Sequence, residues 1–343
     1  MRAAIVNVTG YAGVELARLL LRHPEVQLVQ VTGRGSAGQP LVDVFPHLGP
    51  SALMIEPELT ASADVVFSAL PHKASAAIAQ AVLASGARFI DISADFRLRD
   101  VAVYEQWYQV SHPCPELLAQ AVYGLPELYR ARIREARLIA NPGCYPTSAI
   151  LALAPVMELI EPDIIVDSKS GVSGAGRTLS LTHHYSEANE SCQAYGLAGH
   201  RHMPEIAQEL ATQLKLRLAG DEPPPLALTF VPHLVPMTRG ILSTCYARLR
   251  RECTLEELRE RYRASYGDAP FTRLSEQPPQ TKQTWGSNYC LVYPTVDKRT
   301  GRLVVVSCLD NLVKGAAGQA IQNMNLMCGL DERAGLAALP VYP

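Results

Sequence analysis

The pattern that most limits how this chain can fold is its opening: a short apolar run from Ala3 to Val8, then Thr9-Gly10-Tyr11-Ala12-Gly13, then Val14, Ala17, Leu20 and Leu21 on one helical face. Strand, glycine turn and helix in that order make the first half of a βαβ unit. The pattern repeats. Strands are expected at Val26 to Thr32, Asp64 to Ala69 and Arg88 to Ile92, with an alanine-rich helix from Ser75 to Ala84 between the last two. Such alternation implies a Rossmann-type, doubly wound α/β domain with a parallel sheet. Near residue 145 the texture changes. Runs at Ile164 to Ser168, Ala227 to Val231, Ile241 to Leu249, Tyr289 to Thr295 and Leu303 to Leu309 read as strands of a mostly antiparallel sheet in an α+β domain.

A chain of 343 residues is too long for one ordinary core. The expected division is a dinucleotide-binding domain over 1–144 and a catalytic and oligomerisation domain over 145–312, with a C-terminal helix within 313–343 packing back on the first. Loops are expected at Leu216 to Pro225 and Glu276 to Thr284. Lys and Arg number 31 against 33 Asp and Glu, a formal charge of -2, which disfavours nucleic acid and anionic membranes as partners. The eight cysteines form no C-x-x-C pair and no Cys/His spacing suited to zinc, so no metal is expected and reduced thiols in a cytoplasm fit best. The start carries no signal-peptide pattern, and no apolar run reaches about 18 residues.

The turn at Gly10, Tyr11, Ala12 and Gly13 suits a dinucleotide pyrophosphate, although Asn7 stands where a full fingerprint has its first glycine. Asparagine tolerates unusual dihedrals, so the turn survives. After the second strand, Thr32-Gly33-Arg34-Gly35-Ser36 lacks the acidic residue that would bond a ribose 2′-hydroxyl. Arg34, with Ser36, offers a fork for a 2′-phosphate instead, which favours NADP over NAD.

Chemistry is signalled by Asn141-Pro142-Gly143-Cys144-Tyr145-Pro146-Thr147-Ser148. Gly143 permits a bend, Pro146 suits a first helical turn, and the apolar run from Ala149 to Ile160 continues a helix. Cys144 thus stands at a helix N-terminus, where the dipole favours thiolate, and reads as a nucleophile. A second cluster, Lys169-Ser170-Gly171-Val172-Ser173-Gly174-Ala175-Gly176-Arg177, is a strand end opening into a glycine-rich loop. Its amides, with Ser173, can cradle an anion while Lys169 or Arg177 supplies charge. A third, Gly199-His200-Arg201-His202-Met203-Pro204, sets two histidines and an anion-clamping arginine just before a helix. His202 is the favoured proton shuttle and His200 the alternative. A nicotinamide cofactor beside a nucleophilic thiol points to acyl chemistry: attack on an activated carboxyl, loss of phosphate, and reduction of the thioester to an aldehyde.

The ordered series Gly10 to Gly13, Ala69-Leu70-Pro71-His72, Asp91 to Arg97, Tyr123 to Glu127, Asn141 to Thr147, Ser170 to Arg177, His200 to His202 and Asp310 to Gln319 resembles the aspartate-semialdehyde dehydrogenase group. Within that group it is most similar to the N-acetyl-gamma-glutamyl-phosphate reductases of arginine biosynthesis. The resemblance implies that Cys144 is the active-site thiol, that Asn311 lies near the nicotinamide and Pro71 in the cofactor site, and that Arg97 or Arg177 meets substrate anions, with Ser93 and Asn141 alongside. It implies an acyl phosphate as substrate, inorganic phosphate as the other small molecule, and a homodimer or homotetramer built through the second sheet. Asn7 and Lys73 depart from the family pattern, which usually has glycine at both places. Three other readings remain open: a reductase of carrier-linked aminoadipyl phosphate in lysine biosynthesis, an aspartate-semialdehyde dehydrogenase, and a non-catalytic NADP-binding redox sensor switched by Cys144.

Overall fold

The computed structural model describes residues 1–218 and 225–342, which form two compact units. One comprises Met1–Gly143 with Ala316–Ala338, the other Cys144–Gly315 with the last residues from Leu339. The first holds a wholly parallel sheet of β1 (Arg2–Val6), β2 (Gln27–Thr32), β3 (Ile55–Glu56), β4 (Val65–Ser68), β5 (Arg88–Asp91), β6 (Val122–Tyr123) and β7 (Leu138–Ala140). Their spatial order is β3-β2-β1-β4-β5-β7-β6. Every residue of β4 and β7 is buried, as parallel strands covered on both faces require. The order reverses between β1 and β4. In doubly wound sheets the crevice beyond the carboxyl ends of such a pair receives the ligand, and the Asn7-to-Gly13 and Ala69-to-Lys73 turns leave those two ends.

The final helix takes up the first part of 313–343. A single π turn, Val313–Ala317, leads into an α-helix that ends at Met327, where Cys328 and the left-handed Gly329 (φ 69°) stop it. All ten residues of Gly318–Met327 are buried. Its amides are matched to fixed acceptors: Gln319 and Asn323 donate to the Gly124 carbonyl at 2.9 and 2.8 Å, and Asn323 also to Asn141 Oδ1 at 3.1 Å. Those bonds tie the helix to the first unit.

Lys73 adopts φ 76°, a conformation that costs a side-chain-bearing residue about 1–2 kcal/mol. Its backbone N–H bonds Asp95 Oδ1 at 2.7 Å, which any residue could do. Lys73→Gly should therefore raise the thermal midpoint, since the strain relieved exceeds the roughly 0.4–1 kcal/mol that glycine's added unfolded-state freedom costs. A fall in midpoint on a thermal scan would contradict this.

The second unit holds β8 (Ile160–Gly171), β9 (Gln193–Ala194), β10 (Ala227–Val235), β11 (Ile241–Leu249), β12 (Thr272–Leu274), β13 (Cys290–Asp297) and β14 (Arg302–Leu309), in the order β12-β13-β14-β11-β8-β10-β9. The sheet is mixed, because β8 pairs β10 and β12 pairs β13 in parallel while the other pairs are antiparallel. Alternate residues of β8, β11 and β14 (Val166, Ser168; Ser243, Cys245; Val305, Ser307) point into a core covered by the helix Cys144–Leu153. The apolar run from Ala149 ends its helix at Leu153, and Ile160 already belongs to β8. Of the expected loop at Leu216 to Pro225, residues 219–224 lie outside the described residues, while Leu216 and Arg217 end the helix Met203–Arg217.

Candidate active site

Cys144 opens the helix Cys144–Leu153 and is half-buried. That helix is bolted down along its length. Ser148 Oγ donates to Ser243 Oγ at 2.9 Å and shares a 2.5 Å bond with Ser307 Oγ, while Ser168 Oγ and Ser243 Oγ lie 2.7 Å apart. At its far end Tyr266 and Tyr262 donate to the Leu151 and Ala152 carbonyls at 2.7 and 2.6 Å, satisfying acceptors that a helix C-terminus leaves open. The first turn, where the dipole is positive, is thereby held in one place.

Next to Cys144 in sequence, Tyr145 enters an aromatic cluster. Its ring lies edge-on to His200, His202 and Phe230 at 5.8, 5.9 and 5.4 Å, and His200 and His202 are 4.9 Å apart. Tyr195 packs on His200 at 5.4 Å and donates to the Tyr145 hydroxyl at 3.2 Å; Tyr145 in turn donates to the His233 carbonyl at 3.2 Å. Burial, reinforced by Tyr195, keeps the Tyr145 phenol protonated. Burial first, and the Arg201 charge second, push the His200 imidazole down to about 4, so this ring is neutral at physiological pH. His200 Nδ1 accepts the His202 backbone N–H at 3.1 Å, so the neutral ring carries its proton on Nε2. Tyr145 is visible beside the thiol in sequence, but Tyr195 and Phe230 carry no local signal: β9 and β10 bring them to the histidines.

The glycine-rich loop differs from the expected amide cradle. The N–H groups of Gly171, Val172 and Ser173 donate to the carbonyls of Gly240, Met237 and Thr238, which pins the loop to the 237–240 turn, and Gly176 N–H closes the loop on the Ser173 carbonyl. Ser173 Oγ accepts from Asn311 Nδ2 at 3.0 Å, and Asn311 Oδ1 accepts from Gly240 N–H at 2.7 Å. Asn311 is thus a buried strut of the second unit. Of the two cations flanking the loop, Lys169 pairs with Asp167 at 2.8 Å, and Asp167 also reaches His233 Nδ1 at 3.1 Å, whereas Arg177 lies on the exposed side of the loop. Arg201 is likewise exposed.

In the first unit, Asn7 holds φ 68°, the left-handed conformation for which a fingerprint glycine is used, and its Nδ2 donates to the Ala69 carbonyl at 2.8 Å, joining the two turns of the crevice. Gly13 cannot be replaced, because a Cβ there would stand 2.4 Å from the Asn7 carbonyl oxygen. The helix Tyr11–Leu20 starts at Gly10 with no side-chain cap, and the positive end of its dipole is suited to an anion. Arg34 and Ser36 occupy a short turn after β2, and Arg34 is 87% exposed with only a loose 3.9 Å pair to Glu58. These residues fit a dinucleotide.

Ser93, Arg97 and Asn141 are interior, which polar letters in a sequence do not reveal. Ser93 Oγ donates to Asp91, Arg97 Nε and Nη2 donate to the Asn141 and Ile92 carbonyls at 2.8 Å each, and Asn141 Nδ2 donates to Ala316 at 3.1 Å. Asp95 accepts from Lys73, Ser75 and Ala76 N–H and from the Tyr104 hydroxyl, fixing the turn that carries Pro71 and His72. Burial, and then the Asp95 charge, push the neighbouring Asp91 carboxyl up to about 6.

Two family models match: semialdehyde dehydrogenase, NAD binding domain, over residues 2–136, and semialdehyde dehydrogenase, dimerisation domain, over 144–311. A protein of Dehalococcoides mccartyi (strain ATCC BAA-2266 / KCTC 15142 / 195) named N-acetyl-gamma-glutamyl-phosphate reductase is 56% identical over 344 residues, covering 100% of this chain and 99% of its own. The chain belongs to the semialdehyde dehydrogenase family. A relative of the same name from Symbiobacterium thermophilum is 53% identical over 100% of this chain and 99% of its own. Among solved semialdehyde dehydrogenases, aspartate semialdehyde dehydrogenase II of Vibrio cholerae, complexed with ASA, superposes with TM-score 0.71 at 17% identity, covering 96% of this chain and 98% of that one. The aspartate semialdehyde dehydrogenase of Candida albicans, with NADP, gives 0.62 at 17% identity over 95% and 98%. The first unit carries the family's nicotinamide-binding domain and the second its dimerisation domain.

Proposed function

We propose that this chain reduces N-acetyl-gamma-glutamyl phosphate to N-acetylglutamate 5-semialdehyde with NADPH, through a thioester on Cys144, in arginine biosynthesis. The observation that carries this reading is a half-buried thiol on the first residue of an anchored helix, in a chain whose full-length relatives bear that reductase name.

The thiolate of Cys144 attacks the acyl carbon, the carbon–oxygen bond to phosphate breaks, and inorganic phosphate leaves. Backbone N–H groups of the helix's first turn stabilise the oxyanion. When bound, the nicotinamide supplies the hydride that takes the thioester to the aldehyde level. His202 protonates the alkoxide that hydride addition leaves and takes that proton back as the carbon–sulfur bond breaks, so the carbonyl of the aldehyde forms and Cys144 leaves as thiolate. His200 has its Nδ1 occupied and resists protonation, so we assign it to holding His202 and keeping the cluster dry. Arg177 and Arg201, both exposed, are the groups we assign to the phosphate and carboxylate of the substrate, with Ser173 fixing the loop that carries Arg177. Arg97, Ser93 and Asn141 position the first unit's turns from within.

Gly10, Tyr11, Ala12 and Gly13 would hold the pyrophosphate, Pro71 would border the nicotinamide, and Arg34 with Ser36 would read the 2′-phosphate. Arg34→Ala should weaken NADP by about ten- to a hundredfold, the loss of a charge-assisted contact worth roughly 1.5–3 kcal/mol, and leave NAD nearly unchanged. Equal losses for both, measured by titration, would remove Arg34 from that role.

The outward residues of the second sheet include Ile165, Leu242, Leu291, Val304 and Val306, all only partly covered, and support a homodimer or homotetramer built on that face. No helix among the described residues is long and apolar enough to cross a membrane, and we place the enzyme in the cytoplasm. Turnover of N-acetylglutamate semialdehyde, with NADP and phosphate, against aspartate semialdehyde tests the substrate assignment; preference for the latter would overturn it.

A further inference from the structure

The segment from Asp310 to Gly315 is folded against the thiol's own backbone. Asp310 is fully buried, and its carboxylate organises three pieces of chain. Oδ1 accepts the Leu312 and Val313 N–H groups at 2.8 and 3.2 Å, while Oδ2 accepts Gly286 N–H at 2.8 Å and pairs with Arg239 Nε at 3.2 Å. The Asp310 carbonyl accepts Gly315 N–H at 2.9 Å, a bond of i to i+5 spacing. The π turn Val313–Ala317 is thus fixed at its start by a buried carboxylate, and it brings Gly315 onto Cys144.

A Cβ at position 315 would stand 2.8 Å from Cys144 Cβ and 3.2 Å from Cys144 Cα. The φ of Gly315 lies outside the left-handed region, so its backbone does not require glycine. The requirement is space. Because the Cα of residue 315 is the floor on which the Cα–Cβ bond of Cys144 rests, the π turn sets where the sulfur points. We infer that Gly315 is a positioning residue for the Cys144 thiol, held in place by Asp310, and that the π turn exists to seat the nucleophile. This rests on Cys144 being the nucleophile.

Gly315→Ala should lower kcat by about ten- to a hundredfold, the scale of a misplacement of around an ångström, with KM for the acyl phosphate and NADPH affinity within about twofold of native. Iodoacetamide should alkylate Cys144 more slowly in this variant, with exposed Cys192 unaffected as an internal control. A second measurement covers the case in which the variant folds poorly. Cys144→Gly removes the Cβ that the new methyl would meet, so the loss in thermal midpoint caused by Gly315→Ala should be smaller in the Cys144→Gly background than in the native one. Equal midpoint losses in both backgrounds, or native kcat with native alkylation in Gly315→Ala, would overturn the seat. Residual turnover in Cys144→Ser would instead overturn the nucleophile, so the two failures are told apart.

Discussion

Cys144→Ser abolishes reductase turnover, by on the order of 10⁴-fold or more, and leaves NADP binding and the fold intact. A serine hydroxyl is a far weaker nucleophile without a strong base beside it, and nothing else in the cluster can form the acyl bond. The other cysteines make poor substitutes. Burial pushes the thiols of Cys245, Cys308, Cys114, Cys253 and Cys328 upward, to about 12 for Cys308, which holds them in the unreactive protonated form. Alkylation kinetics followed by peptide mapping should therefore find Cys144 modified first, ahead of exposed Cys192, which lies outside any helix. Clean Cys144→Ser enzyme with substantial turnover would sink the covalent route.

His202→Asn should lower kcat by about 10² to 10⁴ and remove one limb of the pH–rate profile. A limb near neutrality cannot come from His200, whose folded pKa is pushed down to about 4 by burial. The same shift fixes a stability trend. His200 takes up a proton more readily in the unfolded chain, near 6.5, than in the fold, so its contribution to stability is complete above about pH 6.5 and is lost as pH falls toward 4. His200→Asn should flatten that part of the stability curve and cost kcat less than His202→Asn does. Near-native turnover with an unchanged profile in His202→Asn would assign the proton to another group.

How much of this could be read from residues alone follows from how each piece is built. The first sheet is written in local periodicity, and β1, β2, β4 and β5 could be read from apolar runs and turn residues. β3, β6, β7, β9 and β12 are two or three residues long, exist only through pairing, and left no periodic trace. Cys144 was legible because a bend, a proline and an apolar run identify a helix start without knowledge of the fold. The second sheet's parallel β8–β10 pair was not, since strand direction depends on the path of the chain between them. Among site residues, letters gave chemistry but not burial: Arg97 and Asn311 are both interior and hydrogen-bonded within the fold. Lys169, a free cation in sequence, meets Asp167 two residues earlier because alternate residues of a strand share a face. Asn7 and Lys73 went the other way. Both occupy left-handed backbone, which glycine enters without cost and asparagine tolerates better than lysine does.

The central claim is a thioester on Cys144, and it can be weighed directly. Native enzyme mixed with N-acetyl-gamma-glutamyl phosphate without nicotinamide, quenched in acid and digested, should release phosphate stoichiometric with enzyme and carry one N-acetylglutamyl group on the Cys144 peptide. Phosphate released only when NADPH is present, or an acyl group on any other residue in enzyme that turns over normally, would contradict it.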